Sequence, residues 1–481
     1  QPRSRGLGDV YKRQMINSRK LQITGLSMLS LVGSGCTDKN GSIENGVRPN
    51  IVLFLADDIG AECFGCMGGV SYDTHIIDSL AEKSLFFPNM HAQPLSSPSR
   101  VQLMTGLYND KNYVCFGYMN DDEPTFSQLA QQAGYTTGMF GKWQLGSSRE
   151  MPTRLGWDEW CLFQLEVYKE FNGPTGTDRY ANCMMDNHGH YEYSIYGPDG
   201  FESAAFEFLD KQKDSDKPFL LYYSTPLVHT PHTPTPDSES WDLDFAGRFQ
   251  KDTANFKDMV AYLDKKVGRM IDRLKRNGQW ENTIFIFTSD NGTSTRIVSQ
   301  MADGTLRRGG KGDPRGIGTS VPLIICWGDK LEPRESQRLV DFTDFFLTFA
   351  DAMRIAVPEE YGLDGVSLFP EIVGEKPLEK EISLMHYNPL WPVAAAPYAS
   401  RAARTTEWKY YWDGRFYNTK TDFMEEHPID IDTCSNEIKT IYAKLKAKVE
   451  ECPNFYPDMP GAPRRGNYGT FYDFAEPNNP F

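Results

Sequence analysis

Two carboxylates stand side by side where an apolar run ends. Asn50-Ile51-Val52-Leu53-Phe54-Leu55-Ala56 leads directly into Asp57 and Asp58. Adjacent carboxylates repel each other, and a hard cation between them would relieve that repulsion. A second pair of oxygen donors, Asp290 and Asn291, follows the run Thr283–Phe287 and precedes Gly292. Between these pairs, Ser96 opens the stretch Ser-Ser-Pro-Ser-Arg-Val-Gln-Leu-Met-Thr-Gly, ending at Gly106. It reads as a loop entering a helix. Pro98 suits a first helical turn, where its missing N–H costs nothing, and Gly106 suits the stop. Ser96 then lies just ahead of a helix N-terminus, where backbone donors and the dipole favour anions, and Arg100 adds a permanent cation nearby. Asp57, Asp58, Asp290, Asn291 and the oxygen of residue 96 could complete an all-oxygen shell for calcium. Lys311 is flanked by Gly310 and Gly312, which let backbone and cation approach an anion closely. Two histidines, His229 and His232, lie in the Pro-rich loop Thr225–Pro234.

The elements that must hold these residues are legible as apolar runs. Ile51–Leu55 is unbroken, as expected for a strand buried on both faces of a parallel sheet. Tyr135–Phe140, Phe219–Tyr223, Thr283–Phe287 and Val321–Cys326 read as further strands. Helices are expected over Thr74–Ser84, Thr125–Ala133, Ser203–Lys211, Ala254–Arg276 and Leu339–Met353. In the fourth, Met259, Leu263, Val267, Met270 and Leu274 recur at three-to-four spacing and mark a core stripe. Strands alternating with amphipathic helices predict an α/β sandwich with a large, mostly parallel central sheet and ligands at the strand ends. Residues 151–200, rich in Tyr, Asn, Gly and Pro, read as loops suited to specificity. Beyond Leu363 the pattern becomes antiparallel: short strands over Arg401–Thr405, Trp408–Trp412 and Arg415–Tyr417, a turn at Asp413-Gly414, and a closing helix over Asn436–Glu450. The expected organisation is a catalytic domain over 48–362, a smaller α+β subdomain over 363–452 and a surface-wrapping tail over 453–481.

The ends and the charge bound the setting. Residues 1–14 precede Met15 and read as cloning or assembly read-through. Residues 15–36 read as a signal peptide: Arg19 and Lys20, the apolar Leu21–Val32, then Gly33-Ser34-Gly35 before Cys36. The small residues resemble a bacterial lipobox, so an exported protein is expected, periplasmic or anchored to the outer membrane through a lipid on Cys36. The net charge of −15 becomes more negative without these basic leading segments. That balance argues against a nucleic-acid partner, so any anion must be recognised by a locally basic pocket. Cys63 and Cys66 form a lone C-x-x-C, without the second pair that zinc would use.

Ser96-x-Pro98-Ser99-Arg100 followed by Met104-Thr105-Gly106 resembles the signature of the formylglycine-dependent sulfatases, of the serine type. The resemblance extends over about Arg48 to Glu450 and implies the alkaline-phosphatase-like sandwich, with a small C-terminal antiparallel sheet and one helix. It implies that a sulfatase-maturing radical enzyme oxidises Ser96 to formylglycine, whose hydrate is the nucleophile. Asp57-Asp58 and Asp290-Asn291-Gly292 match the family's calcium ligands. Gly141-Lys142-Trp143-Gln144-Leu145-Gly146 resembles the family's Gly-Lys-Trp-His-Leu-Gly, in which the lysine contacts sulfate. Gln144 is a departure: an amide can hydrogen-bond but cannot titrate near neutrality. The family also has a sulfate-contacting histidine, placed here at His229 by register with Pro-Thr-Pro-Asp downstream, with His232 the rival, and a sulfate-binding lysine, placed at Lys311. The implied activity is hydrolysis of sulfate esters, on sulfated carbohydrates. Two alternatives stand beside it: a phosphoric ester hydrolase on the same fold, and a catalytically impaired glycan-binding lipoprotein, motivated by Gln144.

Overall fold

Strand β1 (Asn50–Ala56) lies in the middle of the main sheet. The computed structural model describes residues 48–113, 116–120, 122–146, 150–163, 179–241, 245–388 and 399–452. The expected signal peptide, Cys36 and the tail from 453 lie outside the described residues. In chain order the next strands are β2 (Leu85–His91), β3 (Thr136–Lys142), β4 (Glu159–Phe163), β5 (Ala181–Asn187), β6 (His190–Tyr196), β7 (Phe219–Ser224) and β8 (Thr283–Ser289). A small hairpin, β9 (Val298–Gln300) and β10 (Leu306–Arg308), precedes β11 (Ser320–Trp327), β12 (Arg334–Glu335) and β13 (Val340–Asp341). The sheet order is β12-β2-β11-β8-β1-β7-β3-β4-β5-β6, with β13 also pairing β2. The centre is parallel, β8, β1, β7, β3 and β4 all running one way, whereas β11 is antiparallel to both its neighbours.

Alternation along β1 explains why it reads as an unbroken apolar run. Ile51, Leu53 and Leu55 enter one core with Val101, Leu129 and Phe349 from helices Ser96–Thr105, Phe126–Gln132 and Asp344–Met353. Val52, Phe54 and Ala56 enter a second core with Ile77, Ala205 and Met259 from helices His75–Glu82, Gly197–Lys211 and Phe256–Arg276. Both faces of the strand are dry, so both parities must be apolar. The two cores on either side of the sheet are the layers of the expected sandwich.

Four strands, β14 (Ser383–Tyr387), β15 (Ser400–Arg404), β16 (Trp408–Tyr411) and β17 (Phe416–Asn418), form a separate antiparallel sheet. Helix Asn436–Glu450 covers it, and Leu445 and Val449 pack on Ala403, Tyr410 and Phe416. The turn at Asp413-Gly414 is where it was expected, with Gly414 donating to the Tyr411 carbonyl at 2.9 Å.

Three sequence expectations differ from the structure. The stretch Leu339–Met353 is not one helix: Val340–Asp341 pairs with β2, and the helix starts only at Asp344. Asp344 Oδ2 accepts from the Asp341 amide at 3.0 Å, a local bond that competes with helix here. The helix expected from Ser203 starts at Gly197. The region 151–200 is not all loop, because residues 181–196 form the β5–β6 hairpin, turned by His188 and Gly189, both at positive φ.

Helix His75–Glu82 is capped from a distance. Asp264, buried in helix Phe256–Arg276, accepts from the amides of Ile76 at 3.0 Å and Ile77 at 2.8 Å. Asp264→Ala leaves both donors without a partner in the core, so it should cost about 1–3 kcal/mol of stability in a denaturant titration. A loss below the error of that titration would show that the helix end is held by its packing alone.

Candidate active site

The carboxylates come first because backbone ties fix them. The β1 chain leaves the sheet at Ala56, and Asp57 is held by amide–carbonyl bonds with Leu227 (2.8 Å) and Val228 (2.7 Å) in the loop after β7. Asp58 turns sharply, at φ 61°, a left-handed conformation that a non-glycine residue adopts at a cost. At the end of β8, the Asp290 amide donates to the Ala56 carbonyl at 3.1 Å, and Asp290 Oδ1 accepts from the Asp58 amide at 3.1 Å. Asn291 Nδ2 donates to Asp58 Oδ1 at 2.9 Å. Three acids and an amide are thus folded together with essentially no water contact.

Helix Ser96–Thr105 aims its first turn into this cluster. All ten of its residues are buried, including Ser96 and Arg100, so it has no solvent face. Ser96 Oγ lies 3.0 Å from Asn291 Oδ1 and 3.3 Å from Asp57 Oδ1. Ser96 is the first helical residue rather than the one before it, and Leu95 is the cap. Arg100 donates through Nε and Nη2 to Asp290 Oδ2, at 3.0 and 2.8 Å, and through Nη1 to Ser224 Oγ.

Lys142 arrives at the end of β3. The neighbouring Gly141 has φ 110°, and a Cβ there would sit 1.9 Å from the Ser224 carbonyl oxygen, so only glycine lets β3 pass β7 this closely. Lys142 Nζ donates to both Asp57 oxygens, at 2.8 and 2.9 Å, and to Ser96 Oγ at 3.1 Å. Lys311 comes from the loop after β10, where a Cβ on Gly310 would fall 2.7 Å from the Ile317 carbonyl carbon. Its Nζ meets Asp58 Oδ2 at 2.6 Å and His229 Nε2 at 2.9 Å. The C-terminal sheet steadies this loop: Lys409 donates to the Pro314 carbonyl at 2.6 Å and to Glu425 at 3.0 Å.

Burial and charge set the protonation states. Burial raises the Asp57 carboxyl, while Lys142 draws it back down. Burial lowers Lys142, with Asp57 opposing. Burial also works to raise Asp290, yet Arg100 and Lys142 together hold it below the usual carboxylate range. His229 is pushed well below its ordinary value, first by burial and then by Arg179, Lys311 and Lys142. It is therefore neutral, and its Nε2 faces the Lys311 ammonium as an acceptor. His232 packs edge-on against Phe256, with ring centroids 5.1 Å apart, and its Nε2 has no hydrogen-bond partner among the described residues. Of the two histidines, His229 is the one brought against Asp58, at 3.5 Å. Gln144 has φ 54°, and its Oε1 is buried without a partner among the described residues.

The donor set fits a hard divalent cation. Asp57, Asp58, Asp290, Asn291 and Ser96 offer only oxygen, with no thiolate among them. One ligand atom from each of Asp57, Asp58 and His229 lies within 4.8 Å of the others, so an imidazole also borders the cluster. Ser224, Arg179 and Tyr180 carry no mark in the sequence. Tyr180 donates to the carbonyls of Pro226 (2.8 Å) and His229 and so anchors the histidine loop. An isolated Arg-Tyr in a polar stretch carries no spacing that marks it.

The chain is similar to known proteins over most of its length. Residues 49–355 match the family model described as Sulfatase. An uncharacterised sulfatase of Escherichia coli, YdeN, is 30% identical over 345 residues, 65% of this chain and 58% of that protein. The chain thus spans less than two thirds of that relative's length. N-acetylgalactosamine-6-sulfatase of Canis lupus familiaris is 27% identical over 429 residues, 81% of this chain and 75% of the relative. The crystal structure of Ps i-CgsB superposes with a TM-score of 0.68 at 25% identity, covering 85% of this chain and 94% of the other. The matched span contains Asp57, Asp58, Ser96, Arg100, Lys142, His229, Asp290, Asn291 and Lys311, and the chain belongs to the sulfatase family of sulfuric ester hydrolases.

Proposed function

We propose that this protein hydrolyses sulfate monoesters of carbohydrates, using formylglycine made from Ser96 as nucleophile and calcium held by Asp57, Asp58, Asp290, Asn291 and residue 96. The observation that carries the reading is the meeting of Ser96 Oγ with an acidic cluster on one side and Lys142 on the other. The name of the canine relative, an N-acetylgalactosamine-6-sulfatase, supports a sulfated sugar as substrate. When bound, calcium would act as a Lewis acid on sulfate oxygens and hold the nucleophile in place. As an aldehyde hydrate, residue 96 would supply one hydroxyl for attack at sulfur and a second to release the sulfate.

The chain's own groups then have definable parts. Lys142 and Lys311 offset negative charge on the sulfuryl oxygens, and their cluster excludes water that would weaken that effect. Arg100, expected with the two lysines to offset charge on the sulfuryl group and the nucleophile, donates to Asp290 and Ser224 and so orients the acidic cluster. His229 accepts from Lys311 and is held neutral; an anionic ester between them would favour its protonated form and equip it to protonate the departing alcohol. The lipid anchor, the exported location and the radical maturation enzyme remain parts of this proposal.

Ser96 carries the direct test. Protein made in a host containing a sulfatase-maturing radical enzyme should show the Ser96 peptide lighter by two hydrogens, and should release sulfate from N-acetylgalactosamine 6-sulfate or a related sugar sulfate. Full activity with an intact serine would overturn the nucleophile assignment. Faster turnover of the corresponding phosphate esters would overturn the substrate class.

A further inference from the structure

One cation beside this site has no task in the chemistry above. Arg179 immediately precedes Tyr180, whose hydroxyl is bound to the loop carrying His229. Its backbone is packed tightly: the Gly197 amide donates to the Tyr180 carbonyl at 2.8 Å, and a Cβ on Gly197 would fall 2.2 Å from the Arg179 carbonyl oxygen. The guanidinium lies over the ring of Phe163, 5.5 Å from its centroid. Phe163 ends β4, pairs in register with Lys142 and accepts from the Trp143 amide at 3.0 Å. Arg179 therefore stands at the same end of the sheet as Lys142, Gln144 and His229. Its charge is among the causes that keep His229 neutral, which fits this placement.

Nothing among the described residues uses this cation. Arg179 Nη1 is buried and has no hydrogen-bond partner. The nearby acids are already matched: Asp57 with Lys142, Asp58 with Lys311, and Asp290 with Arg100. A guanidinium stacked on a ring, with a donor shielded from water and no acceptor, is prepared for an anion that arrives from outside. The sulfate under attack already has Lys142, Lys311 and His229.

We propose that Arg179 binds a second anionic group of the substrate, a sulfate or a carboxylate on the same sugar or the adjoining one, and thereby selects multiply charged glycans. This deepens the reading of the site as a carbohydrate sulfatase and rests on it. The planar guanidinium fork matches either oxyanion with two parallel hydrogen bonds, which an ammonium cannot do.

The test compares wild type, Arg179→Gln and Arg179→Lys on four compounds. These are 4-nitrophenyl sulfate, N-acetylgalactosamine 6-sulfate, its 4,6-disulfate, and a 6-sulfated chondroitin disaccharide bearing a uronate. Arg179→Gln should lower kcat/KM about tenfold to a hundredfold on the disulfate or the uronate compound, mostly through KM, and change the two singly charged substrates less than about threefold. Arg179→Lys should recover part of the loss. Which doubly charged compound responds identifies the anion as sulfate or carboxylate. Equal losses on all four would overturn the proposal, since Arg179 would then serve the cut ester or the fold. No loss on either doubly charged compound would overturn it too. Calorimetric binding of the three sugars gives a second readout, in which the wild-type preference for a doubly charged ligand should vanish in Arg179→Gln. If the mature wild type cleaves none of the four, the sulfatase reading fails, and calorimetry still decides for or against Arg179.

Discussion

Asp290→Ala should lose calcium and sulfate release together, with activity falling on the order of a thousandfold. Asp290 does three things at once. It offers oxygen to the proposed cation site, it accepts from the Asp58 amide at 3.1 Å, and it takes two hydrogen bonds from Arg100. The third makes the substitution costly to the fold as well. Arg100 is fully buried, and without Asp290 its charge would keep Ser224, the Lys142 carbonyl and, at 4.0 Å, an Asp57 already bound to Lys142. Breaking a buried pair on one side typically costs about 3–5 kcal/mol. Asp290 is held below the usual carboxylate range, so its contribution is complete above about pH 4 and fades as the pH falls through its folded value. Asn291→Ala provides the comparison, because it removes a proposed ligand without stranding Arg100. It should lose metal and activity with a smaller drop in melting temperature. Metal analysis beside activity decides the matter. Asp290→Ala protein that is folded, calcium-loaded and within tenfold of wild-type turnover would remove Asp290 from the site.

How far the sequence revealed all this depends on what each residue's surroundings wrote into it. Strands β1, β7, β8 and β11 were legible because both faces are dry and their central positions are apolar, whereas β3 offered only Met139 and Phe140 between glycines and threonines. Their ends then pointed to Asp57, Asp58, Lys142, His229 and Asp290. Helix Ser96–Thr105 was legible only through its motif: buried serines, Arg100 and Gln102 leave it no amphipathic stripe. The β5–β6 hairpin was hidden for the opposite reason. Tyr191, Tyr193 and Ile195 are all exposed on β6, so the strand presents no apolar face to the core. Val340–Asp341 was absorbed into a helix because its apolar neighbours continue into a helical pattern, and only pairing with β2 separates them. Arg179 and Tyr180 act through contacts with segments some fifteen to fifty positions away, on Phe163, Pro226 and His229. No local spacing encodes such contacts.

Gln144→His should raise steady-state turnover, on the order of a hundredfold, because the proposed release of sulfate needs a base and residue 144 is an amide. Attack at sulfur and release of sulfate make different demands. The first needs a nucleophile and positive charge, and in the proposed mechanism Lys142 and Lys311 supply the charge. The second needs a proton removed, and a neutral amide can orient a hydroxyl or a water but cannot take its proton. Gln144 Oε1 is buried and has no partner among the described residues, so an acceptor is present that lacks basicity. The backbone also permits the exchange. Residue 144 sits at φ 54°, a region where histidine is among the better tolerated side chains. The surroundings favour the useful protonation state as well. Burial and nearby cations keep His229 neutral, and Lys142 would act in the same sense on an imidazole at 144. Wild type should therefore release a burst of product alcohol, followed by a slower steady state, and Gln144→His should shrink the burst. The variant should also gain an acid limb in its rate profile, as protonation of the new imidazole removes the base. A wild type without a burst, together with a variant no faster than wild type, would show that another group takes the proton and that the amide is the fitted residue at this position.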